Sequence, residues 1–465
     1  MVNRMERREL HLGLNVLSDG MHPAAWRAPY TDPVGFMKPS QWQQLVQVAE
    51  RGTLDAIFLA DNLHLAIDDN GKIDQPPLAL DPIVLLSTLA SQTSHVGLVA
   101  TVSTSFEEPY NVARRIASLD HLSGGRAAWN IVTTAEHRAS ANYGARPQPP
   151  REERYARADE FVEVVRALWD SWDDDAMVAD QGSGVFTAPR RIRAIDHHGA
   201  YFKVAGPLNL PRSPQGQPVL FQAGGSEGGL ELAARHADAV FTSQATLPDA
   251  LAYARDLRER TSRHGRPADA VRIMPGLSFI LGGTETEARR RAFELNELAG
   301  DRRLAIFAWQ LGVDVHELAW DRELPPWLFD KSQLSRNSQG ARDIVLNLAR
   351  RERLTVRQLL DRIQSWHRLV IGDPEQLAAT IAEWFEAGAV DGFNLMPDVE
   401  PSGIEAFVDH VIPILRRRGI FRREYKGATL RDHLGLARPS AVFPSGISLP
   451  SPPTRLEVEA YSLAR

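Results

Sequence analysis

One short pattern, a helix-like segment followed by an aspartate and an apolar strand, occurs three times and constrains the fold most strongly. It reads ERGTLDAIFLAD at 50–61, ARHADAVFTS at 234–243 and EAGAVDGFNLMP at 386–397. Each copy is typical of a helix that leads into a parallel strand, which is half of a βαβ unit. Strands of a parallel sheet covered on both faces are almost continuously apolar, as LDAIFLA is. The pattern therefore indicates an α/β fold.

Strands and helices alternate along most of the chain. Ser40 and Gln43 predict a capping box at the start of a helix that ends at Gly52, and a second helix is predicted to run from Pro109 to Gly124. Eight βα units predict a TIM (β/α)8 barrel, with a doubly wound sheet as the alternative. The eight strands are expected near 11–16, 55–60, 96–103, 127–133, 218–222, 238–242, 272–280 and 391–396.

Two long stretches interrupt this alternation. Residues 174–217 are typical of an extended hairpin and a proline-rich loop, whereas residues 299–370 contain several helical patterns and four tryptophans. Long insertions between barrel strands commonly carry function, so we expect the second one to cover the site or line the substrate pocket. We predict one barrel domain over residues 1–438 and a C-terminal tail over 439–465, and we expect the chain beyond about residue 420 to lie on the surface.

Composition excludes several classes of function. The chain has 465 residues, a formal net charge of −6 and no cysteine. A mildly acidic chain gives no electrostatic reason to bind nucleic acid, and the charged N-terminus lacks the apolar region of a signal peptide. Without cysteine there is no thiolate ligand, and the histidines and carboxylates show no spacing typical of a metal site. We expect a cytoplasmic enzyme that uses no metal and does not act in a membrane.

Polar residues stand where the predicted strands end, which is where TIM barrels carry their active sites. Asp61 follows the second strand, Thr101 lies in the third, and Asn130 lies inside the fourth. A buried amide such as that of Asn130 must be hydrogen-bonded or costs about 1–3 kcal/mol. Two interpretations stay open for Asn130, contact with a ligand and pairing with a neighbouring strand.

The fifth strand runs into FQAGGSEGG at 221–229. An apolar stretch before it and helical spacing after it place the glycines at a strand-to-helix turn. The free N–H groups of a helix N-terminus, with Gly225 and the Ser226 hydroxyl, form a ready site for an anion such as phosphate. The alternative is a tight turn that binds nothing, because the spacing matches neither common phosphate-binding loop.

The chain resembles a known family in several of these segments. The residues that carry the resemblance are HLSGGRAAWNIVTT (121–134), ANYG (141–144), GLVATVSTSFEEPYNVARR (97–115), AGGSEGG (223–229) and EYKGATLRDHLGL (424–436). Together they resemble the group of nitrilotriacetate monooxygenase component A, dibenzothiophene sulfone monooxygenase and pristinamycin synthase, within the bacterial luciferase-like flavin monooxygenases. The resemblance extends from about residue 9 to residue 438.

This resemblance implies a barrel that binds FMN in its reduced form, FMNH2, supplied by a separate NAD(P)H-dependent flavin reductase. Oxygenation of a small organic substrate would then use O2 through a C4a-(hydro)peroxyflavin. Relatives of this kind are commonly homodimers or homotetramers. Two other functions stay open, a deazaflavin-dependent hydride-transfer enzyme on the same barrel and a flavin-binding protein without catalytic activity.

The resemblance also assigns residues to the cofactor. Asp61 matches an acidic residue near the flavin ring, Thr101 a residue beside a non-prolyl cis peptide that supports the ring, and Asn130 a residue at the polar edge of the ring. Tyr155 and Ser226 match the pair that binds the phosphate, in the turn that contains Gly225.

Two further residues carry separate expectations. His22 matches a histidine on the substrate side and is our candidate catalytic residue. Arg151, in REERY at 151–155, stands where relatives usually have histidine. A guanidinium can bind two phosphate oxygens, so Arg151 is expected to contact the phosphate. Alternatively, Arg151 is a solvated helix residue and Arg154 lies closer to the anion.

Overall fold

The computed structural model describes residues 8–65, 73, 76–77, 80–134, 136–144, 148–330 and 339–441. Most of the predicted tail therefore lies outside the described residues. The strands are β1 (His11–Val16), β2 (Ala56–Leu59), β3 (Gly97–Ser103), β4 (Ala127–Val132), β5 (Met177–Asp180), β6 (Val185–Thr187), β7 (His197–His198), β8 (Lys203–Val204), β9 (Val219–Ala223), β10 (Ala239–Thr242), β11 (Arg272–Leu281), β12 (Ile363–Gln364), β13 (His367–Gly372) and β14 (Gly392–Pro397).

Helices separate most of these strands. They are α1 (Pro39–Arg51), α2 (Pro82–Ala90), α3 (Pro109–Ser123), α4 (His137–Ala141), α5 (Arg151–Trp169), α6 (Glu227–His236), α7 (Leu247–Arg263), α8 (Glu285–Ala299), α9 (Arg302–Leu311), α10 (Gln339–Glu352), α11 (Val356–Leu360), α12 (Pro374–Glu386), α13 (Ser402–Ala406), α14 (Ile412–Arg417) and α15 (Leu430–His433). Among the described residues, no helix has both the length and the apolar character that crossing a membrane requires.

The strands close into a parallel barrel in the order β1, β2, β3, β4, β9, β10, β11, β14 and back to β1. All eight predicted strands are present, and closure confirms the TIM barrel and excludes the doubly wound sheet. A further parallel strand, β13, pairs with the C-terminal half of β11. Strand β13 was not predicted from the sequence, because it begins inside the insertion at 299–370, whose pattern is mainly helical.

The aspartate of the repeated pattern holds neighbouring strands together at the N-terminal end of the barrel. Asp55 accepts a hydrogen bond from a backbone N–H of β1 over 2.6 Å. Asp238 and Asp391 do the same for β9 and β11, each over 3.0 Å. Because this end of a TIM barrel serves stability, the recurrence of aspartate is explained by strand pairing and not by catalysis.

The prediction that the chain beyond about residue 420 lies on the surface is wrong for residues 420–436, and residues 442–465 lie outside the described residues. Residues 420–436 fold under the N-terminal end of the barrel, where Leu430 and Leu434 are fully buried in its interior. Arg422 pairs with the first of the repeated aspartates, and Arg431 pairs with the second at 2.8 Å. Two leucines four residues apart form one apolar face, which the many charges of this segment conceal in the sequence.

The predicted helix boundaries are partly confirmed. Helix α3 begins at Pro109 and is capped at its C-terminus by Gly124, whose φ of 70° is left-handed. Helix α1 has no capping box, since Pro39 takes the first helical position and Lys38 is the N-cap without a side-chain hydrogen bond. Proline suits this position because the N–H that it lacks would have no helical partner there.

The two interrupting stretches differ in structure. Residues 174–217 contain two short antiparallel hairpins, β5–β6 and β7–β8. Residues 299–370 contain α9, α10, α11 and the β12–β13 hairpin, and they share an apolar cluster around the fully buried Leu328 and Val345. The second stretch therefore has a core of its own beside the barrel.

Candidate functional site

Asn130 and Thr101 form a buried polar pair on neighbouring strands inside the barrel. Asn130 is 2% exposed and donates from Nδ2 to Thr101 Oγ1 over 2.9 Å. Among the described residues, nothing donates a hydrogen bond to Asn130 Oδ1, although this atom is buried. The amide therefore pairs with a neighbouring strand through its nitrogen, as one of the two interpretations expected, whereas contact of its oxygen with a ligand stays a prediction. A buried acceptor without a partner costs about 1–3 kcal/mol, which a donor from a ligand would offset.

The backbone beside Thr101 differs from the expectation. Strand β3 is continuous from Gly97 to Ser103. The two cis peptide bonds of the described residues precede Pro207 and Pro401. The expected non-prolyl cis peptide beside Thr101 is therefore absent from the described chain.

The glycine-rich segment is a strand-to-helix turn, as predicted. Strand β9 ends at Ala223, and Ser226 is the N-cap of α6, where its Oγ accepts from Gly229 N over 3.3 Å. The Ser226 Oγ also lies 3.1 Å from the hydroxyl oxygen of Tyr155 on α5. Two hydroxyls thus meet at a helix N-terminus, where the free N–H groups and the helix dipole favour an anion.

Glycines leave room at this turn. A Cβ on Gly228 would lie 2.7 Å from the Tyr155 ring, so only glycine allows the ring to approach the helix so closely. By contrast, a Cβ on Gly225 would have only Thr242 Oγ1 within 4 Å among the described residues, at 4.0 Å. The turn is therefore tight on the side of the tyrosine and has space in the direction of a Gly225 side chain.

The insertion at 299–370 reaches this turn and the opposite side of the barrel end. A Cβ on Gly340, in the first turn of α10, would lie 2.8 Å from the carbonyl carbon of Gly225. On the other side, Gln364 in the β12–β13 hairpin donates to the backbone oxygen of Met21 over 2.6 Å. The insertion therefore spans the C-terminal end of the barrel from β9 to β1.

The tryptophans of the insertion do not form one wall. Trp309 and Trp327 are exposed, at 55% and 40%. Trp366 packs against Phe307 at a ring distance of 6.4 Å, and Trp320 lies below two arginine side chains. The aromatic residues thus serve partly as the core of the insertion.

Arginines 151 and 154 differ in their surroundings. Arg151 is the first residue of α5 and is exposed. Arg154 is half-buried, donates from Nη1 to the carbonyl oxygen of Pro149 over 2.8 Å, and has a buried Nε without a partner among the described residues. Burial lowers the pKa of Arg154. Arg151 is therefore solvent-exposed, as the second of the two earlier interpretations expected, and whether Arg154 lies closer to the anion stays a prediction.

Asp61 lies half-buried just after β2, with two further carboxylates near it. Burial, together with the negative charges of Asp81 and Glu107, raises the pKa of the Asp61 carboxyl to about 6. Carboxylates gathered in a partly desolvated place hold a proton more tightly than isolated ones. Asp61 therefore changes its charge close to neutral pH.

His22 is 3% exposed in the loop that follows β1. Its Nδ1 accepts a hydrogen bond from Ala24 N over 3.2 Å, and its Nε2 lies 3.1 Å from Asn296 Oδ1 on α8. Burial and the positive charge of nearby Arg303 lower the pKa of His22 to about 4, although the hydrogen bond to Asn296 acts in the opposite direction. The ring is therefore neutral at physiological pH and has hydrogen-bond partners at both nitrogens.

The structure gathers the predicted residues into two contacting groups. Thr101 and Asn130 form one group inside the barrel, and Tyr155, Ser226 and Gly225 form the other at the glycine turn. Asp61 and His22 follow β2 and β1 at the same end of the barrel. Arg151 stands apart at the surface.

Three residues of the site were not predicted from the sequence. They are Asn296, Gly340 and Gln364, and all of them come from α8 or the insertion, far along the chain from their partners. No motif marks an asparagine inside a helix or a glycine at a helix start as a contact to the barrel. Only the three-dimensional arrangement reveals them.

The chain is similar to known proteins over most of its length. A family model described as luciferase-like monooxygenase matches residues 19–391. Nitrilotriacetate monooxygenase component A of Aminobacter aminovorans is 41% identical over 448 residues, which cover 93% of this chain and 97% of that protein. The EDTA monooxygenase of Chelativorans sp. BNC1 superposes with a TM-score of 0.77 at 35% identity, covering 93% of this chain and 99% of the other.

A third relative has a flavin in its structure. Riboflavin lyase, solved with modified FMN and riboflavin, superposes with a TM-score of 0.78 at 34% identity, covering 93% of this chain and 97% of the other. These matches confirm the resemblance seen in the sequence and support an enzyme that uses flavin to oxygenate its substrate. The chain belongs to the luciferase-like monooxygenase family and is a flavin-dependent monooxygenase.

Proposed function

We propose that this chain is the oxygenase component of a two-component system, which binds FMNH2 and uses O2 to oxygenate a small organic substrate. The observation that carries the proposal is the hydroxyl pair of Tyr155 and Ser226, 3.1 Å apart at the open glycine turn before α6. This place suits the phosphate that distinguishes FMN from riboflavin.

Several features fit the phosphate. The N-terminus of α6 offers free N–H groups, and its dipole favours a negative charge. Both hydroxyls can turn their protons toward phosphate oxygens, while the Ser226 oxygen keeps the hydrogen bond from Gly229 N. Arg154 supplies a positive charge next to Tyr155, and its buried Nε lacks a partner among the described residues. A phosphate contact by the exposed Arg151 is not needed for this fit.

The residues inside the barrel fit the ring of the flavin. Asn130 Oδ1 is a buried acceptor that would receive a hydrogen bond from an N–H at the polar edge of the ring. Thr101 fixes the orientation of this amide by accepting from its Nδ2. Asp61 would lie near the ring, where its raised pKa lets it carry or release a proton near neutral pH.

The bound flavin, in its reduced form, supplies the electrons that activate O2. The protein must hold the ring and keep bulk water away from the reacting atoms. We assign the second task to the insertion, because it reaches the barrel end at Gly225 and at Met21. His22 lies on the substrate side in this proposal, where it would contact the substrate or the oxygen to be transferred.

A separate NAD(P)H-dependent reductase would supply FMNH2. The relative from Aminobacter aminovorans is called component A, a name that fits one part of a larger system. We further propose a homodimer or homotetramer located in the cytoplasm. The substrate is a small molecule whose class is to be found by screening.

The test uses the chain with FMN, NADH, an unrelated flavin reductase and 18O2. Candidate substrates are an amino-polycarboxylate, an aromatic sulfone, a thioether and a long-chain alkane. Incorporation of one 18O atom into a product, dependent on both reductase and FMN, is the expected result. If no reduced flavin binds and a reduced deazaflavin instead transfers hydride without O2, the proposal is wrong.

A further inference from the structure

The surroundings of His22 determine which of its nitrogens carries the proton. The backbone N–H of Ala24 is a donor, so Nδ1, which lies 3.2 Å from it, must accept with its lone pair. A neutral imidazole then carries its one proton on Nε2. This Nε2–H points to Asn296 Oδ1 at 3.1 Å, which is an acceptor. Both contacts are therefore satisfied by a single tautomer.

Protonation of the ring would disrupt this arrangement. An imidazolium carries a proton on each nitrogen, so that Nδ1–H would face the N–H of Ala24, donor against donor. The ring is 3% exposed, so water cannot easily relieve the conflict. The geometry thus favours the neutral ring independently of the charges nearby.

The charged groups near His22 act in the same direction. Burial disfavours a charge on the ring most strongly, and Arg303 on α9 disfavours a second positive charge, whereas the hydrogen bond to Asn296 favours the charged ring and offsets them only in part. Asp398 accepts the backbone N–H of His22 through its carbonyl oxygen, but its carboxylate is paired with Arg291 at 2.5 Å. No carboxylate therefore compensates a charge on His22 among the groups described around it.

Several contacts fix Asn296 relative to the His22 loop. Arg27, five residues after His22, donates to the backbone oxygen of Leu298 at the end of α8. Ala25 and Ala28 share an apolar cluster with Leu295, one residue before Asn296. The loop and the end of α8 therefore form one packed unit, in which Asn296 holds a defined position.

We infer that Asn296 is a positioning residue, which holds the single proton of the neutral His22 ring on Nε2, so that His22 serves the reaction as a hydrogen-bond donor and not as a general base. A substrate or oxygen acceptor on the Nε2 side would compete with Asn296 Oδ1 for this proton. The role in the reaction rests on the proposed function, whereas the tautomer depends only on the chain itself.

The first test needs no flavin. The full chain is labelled with 15N-histidine, and His22 is assigned by its loss in His22→Gln. Long-range 1H–15N spectra report the tautomer, and a pH titration reports the pKa. We expect the Nε2–H tautomer and a pKa of about 4 in the unsubstituted chain. A Nδ1–H tautomer, or a titration at or above the ordinary value of about 6.5, overturns the inference.

The variant Asn296→Asp tests the role of the amide. A carboxylate facing Nε2 favours the imidazolium, so we expect the pKa of His22 to rise by about one to three units. Asn347→Asp is the matched control, because it makes the same change at an exposed position of α10. If folded Asn296→Asp leaves the titration of His22 unchanged, Asn296 does not position the ring.

A second readout connects the tautomer to the reaction. The reoxidation of FMNH2 by O2 on the chain is followed between pH 5 and pH 8. We expect no inflection from His22 in the unsubstituted chain and a new inflection in Asn296→Asp at the pKa found by NMR. If the pKa of His22 shifts in Asn296→Asp but the pH profile of FMNH2 reoxidation does not change, His22 does not have the proposed role in the reaction. If the unsubstituted chain has no effect on FMNH2, the proposed function fails while the NMR result stands.

Discussion

Loss of the Ser226 hydroxyl should weaken binding of FMN without weakening binding of riboflavin. The Ser226 Oγ caps α6 through Gly229 N and lies 3.1 Å from the Tyr155 hydroxyl. Replacement by alanine would remove the cap as well, which costs about 0.5–2 kcal/mol of stability, whereas glycine at an N-cap costs only a few tenths. Ser226→Gly therefore removes the hydroxyl with the least damage to the helix.

The size of the effect follows from the charge of the phosphate. A hydrogen bond to a charged group contributes about 1.5–3 kcal/mol, which corresponds to about a 10- to 150-fold increase in the Kd for FMN. Tyr155→Phe should have an effect of similar size. Since the two hydroxyls contact each other, the double variant should lose less than the sum of the single effects.

Flavin fluorescence titrations with FMN and with riboflavin measure both Kd values under the same conditions. Thr284→Gly is the control, because Thr284 caps α8 through a capping box without belonging to the glycine turn. We expect it to lower the thermal midpoint slightly and to leave both affinities unchanged. If Ser226→Gly weakens FMN and riboflavin equally, or neither, the glycine turn does not bind the phosphate.

Three further predictions concern charge and stability. Arg154→Gln should raise the Kd for FMN by about tenfold or more, and Arg151→Gln by less than about fivefold. A larger increase in Kd for Arg151→Gln than for Arg154→Gln in the same titrations would assign the phosphate contact to Arg151. Leu430→Ala should lower the free energy of unfolding by about 2–5 kcal/mol, and Leu122→Ala, at a 70% exposed leucine, by less than about 0.5 kcal/mol; equal urea midpoints would show that residues 420–436 do not close the barrel. Asp61 holds its proton more tightly in the folded chain than in the unfolded chain. The thermal midpoint of the unsubstituted chain should therefore fall relative to that of Asp61→Asn as the pH rises from about 4 to 6, and then stay level. A thermal midpoint that rises relative to that of Asp61→Asn over this pH range would contradict the raised pKa.

The barrel was predictable because its strands are buried on both faces and separated by well-marked helices. Strand β13 was not, because it lies within an insertion whose pattern is mainly helical. The burial of Leu430 and Leu434 was also missed. Two leucines among many charged residues do not predict a buried segment from the sequence alone. Their burial becomes understandable only once the open end of the barrel that they fill is known.

The position of the glycine turn could also be predicted from the sequence. The glycine turn is local in sequence, so its position between a strand and a helix can be recognised from residues 221–229 alone. The contacts of Asn296 with His22 and of Gly340 with Gly225 join segments more than a hundred residues apart. The separate surroundings of Arg151 and Arg154 depend on how α5 packs, which sequence does not reveal.

The most direct test of the central claim is a stopped-flow experiment, in which the chain with anaerobically reduced FMN is mixed with O2-containing buffer. We expect a transient absorbance in the near ultraviolet, distinct from that of reduced and oxidised FMN, which persists longer than the oxidation of free FMNH2 takes. Oxidation at the rate and with the spectral course of free FMNH2 would contradict it.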